Sequence, residues 1–502
     1  MILSNISRDL NSFHQNEQKY PGGYLTVYYG SQTGTAESFG KDIEREGEEN
    51  GFMVEVVDLE DIENDIEGEL LKQQKQDESG KSRAIFMMAT YGEGEPTDNA
   101  VSFMNFLKED ALSGSEPGEE KKDDSKMFDN LEYAVFGLGN TQYEEFNATG
   151  KAVDSLLEQA GAIRIVKLGL GDDDNDLEGD FENWKDTVFW PGVKKRFDVG
   201  NSLSSSMTNT SKLPDCQYAV EYVENGAVSD KATIEHVPLS SKQYFTATDC
   251  AVTLKRELRD PADGGSTIHV EIDANEIDYK TADNLAILPV NEDSVIEKVA
   301  EALDYDLSAT FKLLPAKGYE SKFAPLFHTP CTVRECLARY CDLVGPPRRS
   351  DLKLLAAYAQ DPTCKSALLR MASKEGKAEY KEKVTDAKIG IVDIISKLCP
   401  SISMPLEHFV SVCPRLQPRY YTISSSSTVH PKSVHVTVSV LDEKRDDGSS
   451  FKGVCSNYLS RMISDGKARV FVRDSSFRLP IDVSESNNLL FFTFSLSTIF
   501  SQ

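Results

Sequence analysis

The sequence has no long hydrophobic run and little that would cross-link or anchor a chain. No stretch of 18 apolar residues occurs among its 502 residues, so no membrane-spanning helix is predicted. The nine cysteines are an odd number with no Cys-x-x-Cys pair, and the seven histidines are scattered. Neither a disulfide framework nor a metal site is therefore predicted. A reducing, cytoplasmic compartment is the expected location.

Lysine and arginine are also few in comparison with the acidic residues. The sequence has 82 acidic residues against 54 lysines and arginines, which gives a formal charge of −28. This balance argues against a nucleic-acid partner, because a phosphate backbone needs a positive protein surface. If the negative charge is focused on one face, it favours docking to a basic protein.

The sequence does contain a glycine- and hydroxyl-rich loop, Gly30–Glu37, directly after the strand-like run Tyr24–Tyr29. A strand followed by such a loop and a helix start forms an anion site, because the first amides of a helix lack internal partners. Thr35 stands where a Walker motif has its lysine, and the dinucleotide pattern G-x-G-x-x-G does not fit. We therefore predict a site for a phosphate that is held and not transferred.

Two further loops follow strand-like runs, and each carries a tyrosine among glycines. They are Ala89–Asn99, which contains Tyr91, and Gly137–Asn147, which contains Tyr143. Strand and helix patterns alternate through residues 24–190, which predicts a doubly wound parallel sheet with ligands at the carboxyl ends of its strands. We expect the tyrosines to flank a flat ring whose phosphate lies in the first loop.

The pattern also predicts the order of elements and domains. The expected strands are 24–29, 52–57, 84–90, 131–137 and 163–168, with helices near 35–49, 97–109, 146–160 and 177–190. The acidic segments 60–82 and 110–127 are interpreted as exposed loops or insertions. The predicted domains are an α/β domain at 24–190, a linker at 191–240, an antiparallel β-barrel formed by 241–290 and 413–486, a helical insertion at 291–412 and a tail at 487–502.

The predicted barrel contains two motifs of its own. The run Arg415–Ser426 joins the guanidinium of Arg419 to two aromatic residues and a row of hydroxyls, and arginine suits a pyrophosphate. The run Lys452–Leu459 is a glycine turn that opens a helix, which is again an anion site. Together the two motifs indicate a second phosphate-bearing ligand.

The three loops of the first domain resemble those of flavodoxin-like FMN domains. Their amino-acid sequences are similar to those of the NADPH–haemoprotein reductases, a diflavin reductase family. The barrel motifs resemble the FAD site of ferredoxin–NADP reductase-type barrels. The resemblance covers about residues 24–480. It implies FMN, FAD and NADPH as cofactors, and electron transfer to a haem protein at the cytosolic face of the endoplasmic reticulum.

The resemblance also implies which residues hold the flavins. In the first domain the FMN phosphate would be held by Ser31, Gln32, Thr33, Gly34, Thr35 and Ala36. Tyr91 and Tyr143 would flank the flavin ring. The FMN site would be completed by Thr90, Gly92, Glu93, Gly94, Leu138, Gly139, Asn140, Phe146, Asn147 and Asp173.

In the barrel, the FAD pyrophosphate would be bound by Arg419, Gly453, Val454, Cys455 and Ser456. Tyr421 would stack on the ring, Tyr420 would contact FAD nearby, and Thr437, Val438 and Ser439 would line the site. Thr422 would be the catalytic residue. It stands where the family usually has a serine beside the flavin nitrogen that takes hydride, so the hydroxyl persists but the extra methyl group could slow the transfer.

An acidic run follows the last predicted strand. Six carboxylates lie within the nine residues Asp172–Asp180. Asp176 is expected to cap a helix. The resemblance implies that this run is a docking face for basic haem proteins such as cytochrome monooxygenases, with cytochrome c as a surrogate, and the alternative is a merely solvated surface.

The resemblance has departures and leaves alternatives open. The given sequence shows neither a membrane helix before the first strand nor a nicotinamide-binding domain after residue 486, and Gly264-Gly265 stands where an arginine is expected. The resemblance thus predicts an incomplete chain that binds both flavins yet fails to oxidise NADPH. The alternatives are another diflavin enzyme, such as a sulfite reductase flavoprotein or a nitric-oxide-synthase-like module, and a non-catalytic flavin module that occupies haem-protein docking sites.

Overall fold

The computed structural model describes residues 20–72, 81–92, 94–109, 126–199, 216–224, 237, 239–260, 262, 264–275, 277–320, 323–463, 465–473 and 475. The chain divides into two compact units at about residue 209. The predicted site residue Glu93, most of the predicted linker and the whole predicted tail at 487–502 lie outside the described residues.

The first unit alternates strands with helices. Its strands are β1 (Tyr24–Gly30), β2 (Met53–Asp58), β3 (Ser82–Tyr91), β4 (Glu95–Pro96), β5 (Leu131–Gly139), β6 (Ile163–Arg164) and β7 (Gly169–Asp172). Its helices are α1 (Thr35–Gly47), α2 (Ile66–Leu70), α3 (Val101–Glu109), α4 (Ala148–Gln159), α5 (Leu177–Trp184) and α6 (Trp190–Arg196), and a π-helical turn joins the last two.

The predicted doubly wound parallel sheet is confirmed. Its order is β2-β1-β3-β5, with β6 and β7 both pairing with β5, and all of these pairs are parallel. Helices cover both faces of such a sheet, so its central strands are largely apolar. The first eight residues of β5 are accordingly all buried.

The expected fifth strand, 163–168, is wrong in its extent. The chain leaves the sheet after Arg164 and returns as β7, in the glycine-rich segment that lies beyond the predicted strand. A Cβ atom on Gly169 would lie 2.4 Å from the Phe136 ring and 2.6 Å from the Trp184 ring. This glycine therefore allows close packing of the strand against two aromatic rings.

The acidic segment 60–82 is not simply an exposed loop. A 3₁₀ turn at Leu59–Ile62 and the helix α2 bury three apolar side chains of the segment, and that of the residue just before it, in the core of the first unit. These are Leu59, Ile62, Ile66 and Leu70. Residues 73–80 and most of the second acidic segment lie outside the described residues.

The second unit contains the predicted barrel. Its strands are β9 (Thr248–Glu257), β10 (Ser266–Asp273), β11 (Asn284–Leu288), β14 (Arg419–Thr422), β15 (Ser433–Val440) and β18 (Lys467–Arg473), in the order β14-β11-β18-β9-β10-β15. All of these pairs are antiparallel. A bridge between Ile423 and Val436 joins the two outer strands, so the sheet closes on itself. A core of alternating apolar residues fills it.

The segment between β11 and β14 is largely helical, as predicted. It contains α8 (Asp293–Leu303), α9 (Val333–Arg339), α10 (Arg349–Ala357), α11 (Pro362–Ala372), α12 (Lys377–Tyr380), α13 (Ile391–Asp393) and α14 (Leu406–Val412). It also contains two strands that the sequence did not predict, β12 (Thr310–Pro315) and β13 (Cys331–Thr332). β12 lies between β13 and β8 (Tyr218–Val223) and pairs with both, and β8 lies within the segment predicted as linker.

Four short elements complete the second unit. They are α7 (Leu239–Thr246) before β9, the hairpin of β16 (Asp442–Lys444) and β17 (Ser450–Lys452), and α15 (Val454–Arg461). Across the described parts of both units, no helix combines the length and the apolar character that a bilayer crossing requires.

Candidate functional site

The predicted loops of the first unit lie at one edge of its sheet. They follow β1, β3 and β5, which are neighbouring parallel strands, so the carboxyl ends of these strands meet there. The chain order reverses between β1 and β3, because β2 lies on one side of β1 and β3 on the other. A crevice at such a switch point is the usual ligand site of an open α/β sheet.

The first loop is held in shape by the Ser31 side chain. Its hydroxyl oxygen accepts hydrogen bonds from the backbone N–H groups of Gly34 (3.0 Å) and Ala36 (3.3 Å). Gly34 precedes α1 with a φ of 88°, a left-handed conformation that favours glycine. Ser31 itself is buried, so it shapes the loop from beneath.

The same loop presents unused donors. No described residue accepts a hydrogen bond from the backbone N–H groups of Gln32, Thr33 or Thr35. The hydroxyls of Thr33 and Thr35 lie 3.4 Å apart on the outer side of the loop, where Thr33 is exposed. Free amides, two hydroxyls and the start of a helix form an anion cradle without a lysine.

The second loop is a tight return of the chain. β4 folds back on the end of β3, pairing Thr90 with Pro96 and Tyr91 with Glu95. The Thr90 hydroxyl accepts a hydrogen bond from the N–H of Thr149 at 3.3 Å, which ties this return to α4. Tyr91 is half-buried at its tip, at the carboxyl edge of the sheet.

The third loop is fixed at both ends. The side-chain oxygen of Asn140 accepts a hydrogen bond from the N–H of Gln142 at 2.8 Å. Asn147 is fully buried and donates from its side chain to the carbonyl of Gly171 at 2.9 Å. Between them, Tyr143 is 51% exposed, an unusual exposure for so large an aromatic side chain. The loop is thus rigid around an exposed ring.

Not every predicted residue of this loop can offer its side chain. Leu138 is buried in the core of the sheet, so it can contribute only its backbone. Phe146 carries the ammonium group of Lys151 above its ring, at 5.2 Å from the centroid. The roles of both residues in ligand binding stay predictions.

The acidic run is joined to this third loop by hydrogen bonds. Asp172 accepts from the N–H and the hydroxyl of Thr141, at 2.9 and 2.7 Å. Desolvation raises the pKa of Asp172. These two hydrogen bonds and one from the N–H of Asp174 outweigh it, so the pKa is lowered. Asp176 caps α5 by accepting from the N–H of Gly179 at 3.2 Å, as predicted.

Asp173 differs from its neighbours. Its N–H donates to the carbonyl of Gly139 at 2.8 Å, which places it beside the end of β5. Crowding by surrounding protein atoms raises the pKa of its carboxyl, and the charges of Asp172 and Asp174 raise it further, although the side chain reaches solvent. Part of the acidic run therefore supports the loop, and Asp173 and Asp174 also expose their carboxylates to solvent.

The barrel brings its two predicted motifs together. Tyr421 on β14 hydrogen-bonds to the Cys455 side chain in the first turn of α15, and Arg419 also acts on this thiol through its charge. Arg419 and Tyr421 lie on the same face of β14, because alternate residues of a strand share a face. Burial raises the pKa of the Cys455 thiol to about 11, so the thiol is neutral at pH 7.

The start of α15 is a second anion cradle. Among the described residues, none accepts from the backbone N–H groups of Val454, Cys455 or Ser456. The Ser456 hydroxyl accepts instead from the N–H of Leu441 at 3.1 Å and thereby fixes the turn. The charge of Arg419 acts on Cys455 in this first turn, and the guanidinium itself donates to the carbonyl of Gln417 at 2.7 Å. A guanidinium near a helix start suits a pyrophosphate.

Other predicted residues of the barrel lie elsewhere. Tyr420 faces away from Tyr421 and packs against Phe471, with the Arg473 guanidinium over its ring at 4.6 Å. Val438 points into the barrel core, so it can offer only its backbone, whereas Thr437 and Ser439 face outwards. Thr422 ends β14, and its role stays a prediction.

Comparison with known proteins decides the family. Residues 27–184 match the flavodoxin family, and residues 237–458 match the FAD binding domain family. The chain is 38% identical over 481 residues to the NADPH–cytochrome P450 reductase of Drosophila melanogaster, covering 94% of this chain and 67% of that protein. The chain belongs to the NADPH–cytochrome P450 reductase family.

Two further members of the P450 reductase family show similar agreement. The reductase of Musca domestica is 36% identical over 490 residues, which cover 95% of this chain and 69% of that protein. The human reductase is 36% identical over 477 residues, covering 92% of this chain and 66% of that protein. The chain thus spans about two thirds of the length of these relatives.

Membership of the P450 reductase family supports FMN, FAD and NADPH as cofactors. The two anion cradles fit the flavins. The loop of the first unit offers neutral donors to a terminal phosphate, and the barrel adds a guanidinium to a helix start, as a pyrophosphate requires. The exposed ring of Tyr143 suits a stacked isoalloxazine.

One departure from the P450 reductase pattern has a structural counterpart. Gly264 and Gly265 have φ values of 67° and 70°, so the turn that they form disfavours the expected arginine. The guanidinium of Arg259 donates to the carbonyl of Gly264 at 2.8 Å. A positive charge therefore does lie at this turn, but it comes from another position.

Sequence reasoning missed a buried hub beneath the loop Gly30–Glu37 of this chain. The side-chain oxygen of Asn99 accepts from the N–H of Ser31 at 3.0 Å and from the Thr97 hydroxyl at 2.8 Å. Its amide group donates to the Asp58 carboxylate at 2.8 Å. Asn99 thereby links β1, β2 and the second loop. The only sequence signal for this role of Asn99 was its position as a polar residue directly before an apolar helix.

The hub makes a testable contribution to pH-dependent stability. Burial raises the pKa of the Asp58 carboxyl to about 6, against hydrogen bonds from Glu60 and Asn99 that lower it. An unfolded aspartate titrates near ~3.9, so the stability that this proton contributes is present below about pH 4 and lost as the pH rises through about 6. We therefore compare the free energy of unfolding of the wild type with that of Asp58→Asn. The difference, wild type minus variant, should fall by roughly 1 kcal/mol from pH 5 to pH 8.

Tryptophan fluorescence during urea unfolding measures this change in the first unit alone. The chain has two tryptophans, Trp184 and Trp190, and both lie in that unit. Glu67→Gln removes an exposed carboxylate of the same unit and should follow the wild type at every pH. Parallel pH profiles for the wild type and Asp58→Asn would contradict the account.

Proposed function

We propose that this chain passes electrons to a haem protein through two flavins, FMN in the first unit and FAD in the barrel, within an NADPH-dependent reductase. The observation that carries the proposal is the pair of anion cradles, one at the sheet edge that also carries Tyr91 and Tyr143, the other next to Tyr421 in the barrel. The relatives are named for reduction of cytochrome P450 with NADPH. The resemblance alone supports a location at the cytosolic face of the endoplasmic reticulum.

The flavins, when bound, supply the hydride and electron-transfer chemistry. The residues of the chain bind and orient them. The loop Ser31–Ala36 would hold the FMN phosphate, and Tyr91 and Tyr143 would enclose its ring. Arg419 and the start of α15 would hold the FAD pyrophosphate, Tyr421 would lie against its ring, and the Thr422 hydroxyl would lie near the reacting nitrogen.

Electron delivery tests the proposal directly. The full chain is photoreduced under anaerobic conditions and then mixed with oxidised cytochrome c, which serves as the basic haem protein. We expect the haem to be reduced in proportion to the electrons stored in the bound flavins. Protein that carries both flavins but leaves cytochrome c oxidised would contradict the proposal and favour a non-catalytic binding module.

We further propose that the exposed carboxylates of Asp173 and Asp174, within the run Asp172–Asp180, form the docking face. Asp173 and Asp174 are exposed, and each can be changed to asparagine without loss of a hydrogen-bond acceptor. The double variant Asp173→Asn/Asp174→Asn should lower the second-order rate constant for cytochrome c reduction several-fold at low ionic strength. Because salt screens exposed charges, this difference should vanish at about 0.5 M salt.

The matched control for this prediction is Glu49→Gln, an exposed carboxylate at the end of α1. It removes one charge from the same unit, away from the third loop, and should leave the rate constant unchanged. The FMN content of each variant is measured first, so that a change in docking is separated from loss of the flavin. Equal rates for the double variant and the control would reject this docking face.

A further inference from the structure

A cluster of two histidines and one glutamate lies on the outer face of the barrel. His269 and Glu271 are two residues apart on β10, and His435 stands opposite Glu271 on the neighbouring β15. The residues between and beside them point inwards to the barrel core. All three side chains therefore project from one face, although they come from distant parts of the sequence.

The ligand atoms of the cluster converge. Nε2 of His269 lies 3.2 Å from one carboxylate oxygen of Glu271, and Nε2 of His435 lies 3.7 Å from the other. One ligand atom from each residue can be chosen so that all three lie within 4.8 Å of one another. Tetrahedral zinc, with bonds of about 2.0–2.2 Å, separates its ligand atoms by roughly 3.3–3.5 Å. Small rotations of the side chains would close the remaining gap.

The cluster is only partly satisfied without a cation. Nε2 of His435 is buried and has no hydrogen-bond partner among the described residues. Such an atom costs stability unless something binds it.

We propose that His269, Glu271 and His435 form a binding site for a zinc-class divalent cation on the outer face of the barrel. Two imidazoles and one carboxylate suit zinc, which would keep a fourth position for water. Magnesium prefers six oxygen ligands and should not bind here. The bound cation would cross-link β10 to β15, beside the outward-facing Thr437, which pairs with His269.

One positive charge lies close to this site. Arg256 on β9 pairs with His269 from the side opposite to β15. Its side chain is exposed, so the guanidinium can turn towards solvent when a cation binds. Arg256→Ala should therefore tighten zinc binding, because it removes a like charge from the neighbourhood.

Isothermal titration of the full, flavin-loaded, tag-free chain with Zn²⁺ tests the site. Mutation of a residue that only hydrogen-bonds to a metal ligand lowers metal affinity about 10- to 100-fold. Loss of a direct ligand, in His435→Gln or His269→Gln, should therefore lower the zinc affinity more than about tenfold. His328→Gln is the matched control. It removes a histidine of the same unit that packs against Phe245, away from the cluster, and should leave the affinity unchanged.

Bound FAD and the far-ultraviolet circular dichroism spectrum show whether each variant is folded. If His435→Gln does not fold, Glu271→Gln repeats the test, because it removes only a charge from a partly exposed side chain. The proposal predicts that zinc raises the thermal unfolding temperature of the wild type but not of either ligand variant. Equal zinc affinity in the wild type, Glu271→Gln and both histidine variants would overturn it.

Discussion

Thr35→Asp is expected to remove FMN from the chain while leaving the first unit at least as stable as before. Thr35 is the first residue of α1, and its N–H is one of the unused donors of the phosphate loop. An aspartate there favours the helix by about 0.3–1 kcal/mol, because negative charge suits a helix start. The same charge would lie within a few ångströms of the phosphate and repel it.

The size of this repulsion decides how much FMN is lost. At a separation of about 4 Å and an effective dielectric constant of about 20, two unit charges repel by about 4 kcal/mol, and solvent exposure reduces the effect to about 2–3 kcal/mol. The dissociation constant for FMN should therefore rise about 30- to 150-fold. Titration of the apoprotein with FMN, followed by quenching of flavin fluorescence, measures it.

Thr35→Asn is the matched control, since it has the same shape as the aspartate without the charge. It should bind FMN within a few-fold of the wild type. FAD content should be unchanged in both variants, because the barrel is a separate unit. If Thr35→Asp binds FMN as tightly as Thr35→Asn, no phosphate lies at this loop and the assignment of the first site is wrong.

The second large effect is expected for Arg419→Met, which should strip FAD from the barrel and spare FMN. Arg419 lies beside the first turn of α15, whose amides have no acceptor among the described residues. A hydrogen bond to a charged group contributes about 1.5–3 kcal/mol, so the dissociation constant for FAD should rise about 10- to 150-fold. Methionine keeps the length and the apolar packing of the side chain.

Arg419→Lys separates charge from geometry. Lysine keeps the positive charge but cannot form the forked pair of hydrogen bonds that a guanidinium offers to a pyrophosphate. We expect an intermediate affinity for FAD, between those of the wild type and Arg419→Met. Loss of FMN in place of FAD from Arg419→Met would show that the two sites are assigned to the wrong flavins.

Some of this structure could be predicted because local rules determine it. The loops after β1, β3 and β5 were predicted to converge, since the carboxyl ends of neighbouring parallel strands must meet at one edge. The glycine turn before α15 was predicted from its residues alone. In the barrel, the short β-type runs that became β10 and β15 predicted antiparallel strands.

Other features depend on contacts that no local pattern contains. Asn99 became a hub only because the fold places Asp58 and Ser31 on either side of it. The apolar residues Leu59, Ile62, Ile66 and Leu70 recur at helical spacing, but the acidic residues around them led to the prediction of an exposed loop. β8 was missed because the polar residues on both sides of it are typical of a linker.

The histidine cluster shows the same limit. His269 and Glu271 share a face by the two-residue period of a strand, which a sequence pattern can reveal. His435 joins them only through the pairing of β10 with β15. No spacing between the two segments indicates that register, so the sequence predicted no metal site.

The central claim is that one chain holds two different flavins in two separate sites. The most direct measurement is to release the bound flavins from the purified full chain by heat and to quantify FMN and FAD by chromatography against the protein concentration. The account predicts one FMN and one FAD per chain. A chain that folds, yet carries only one kind of flavin after incubation with both, would contradict it.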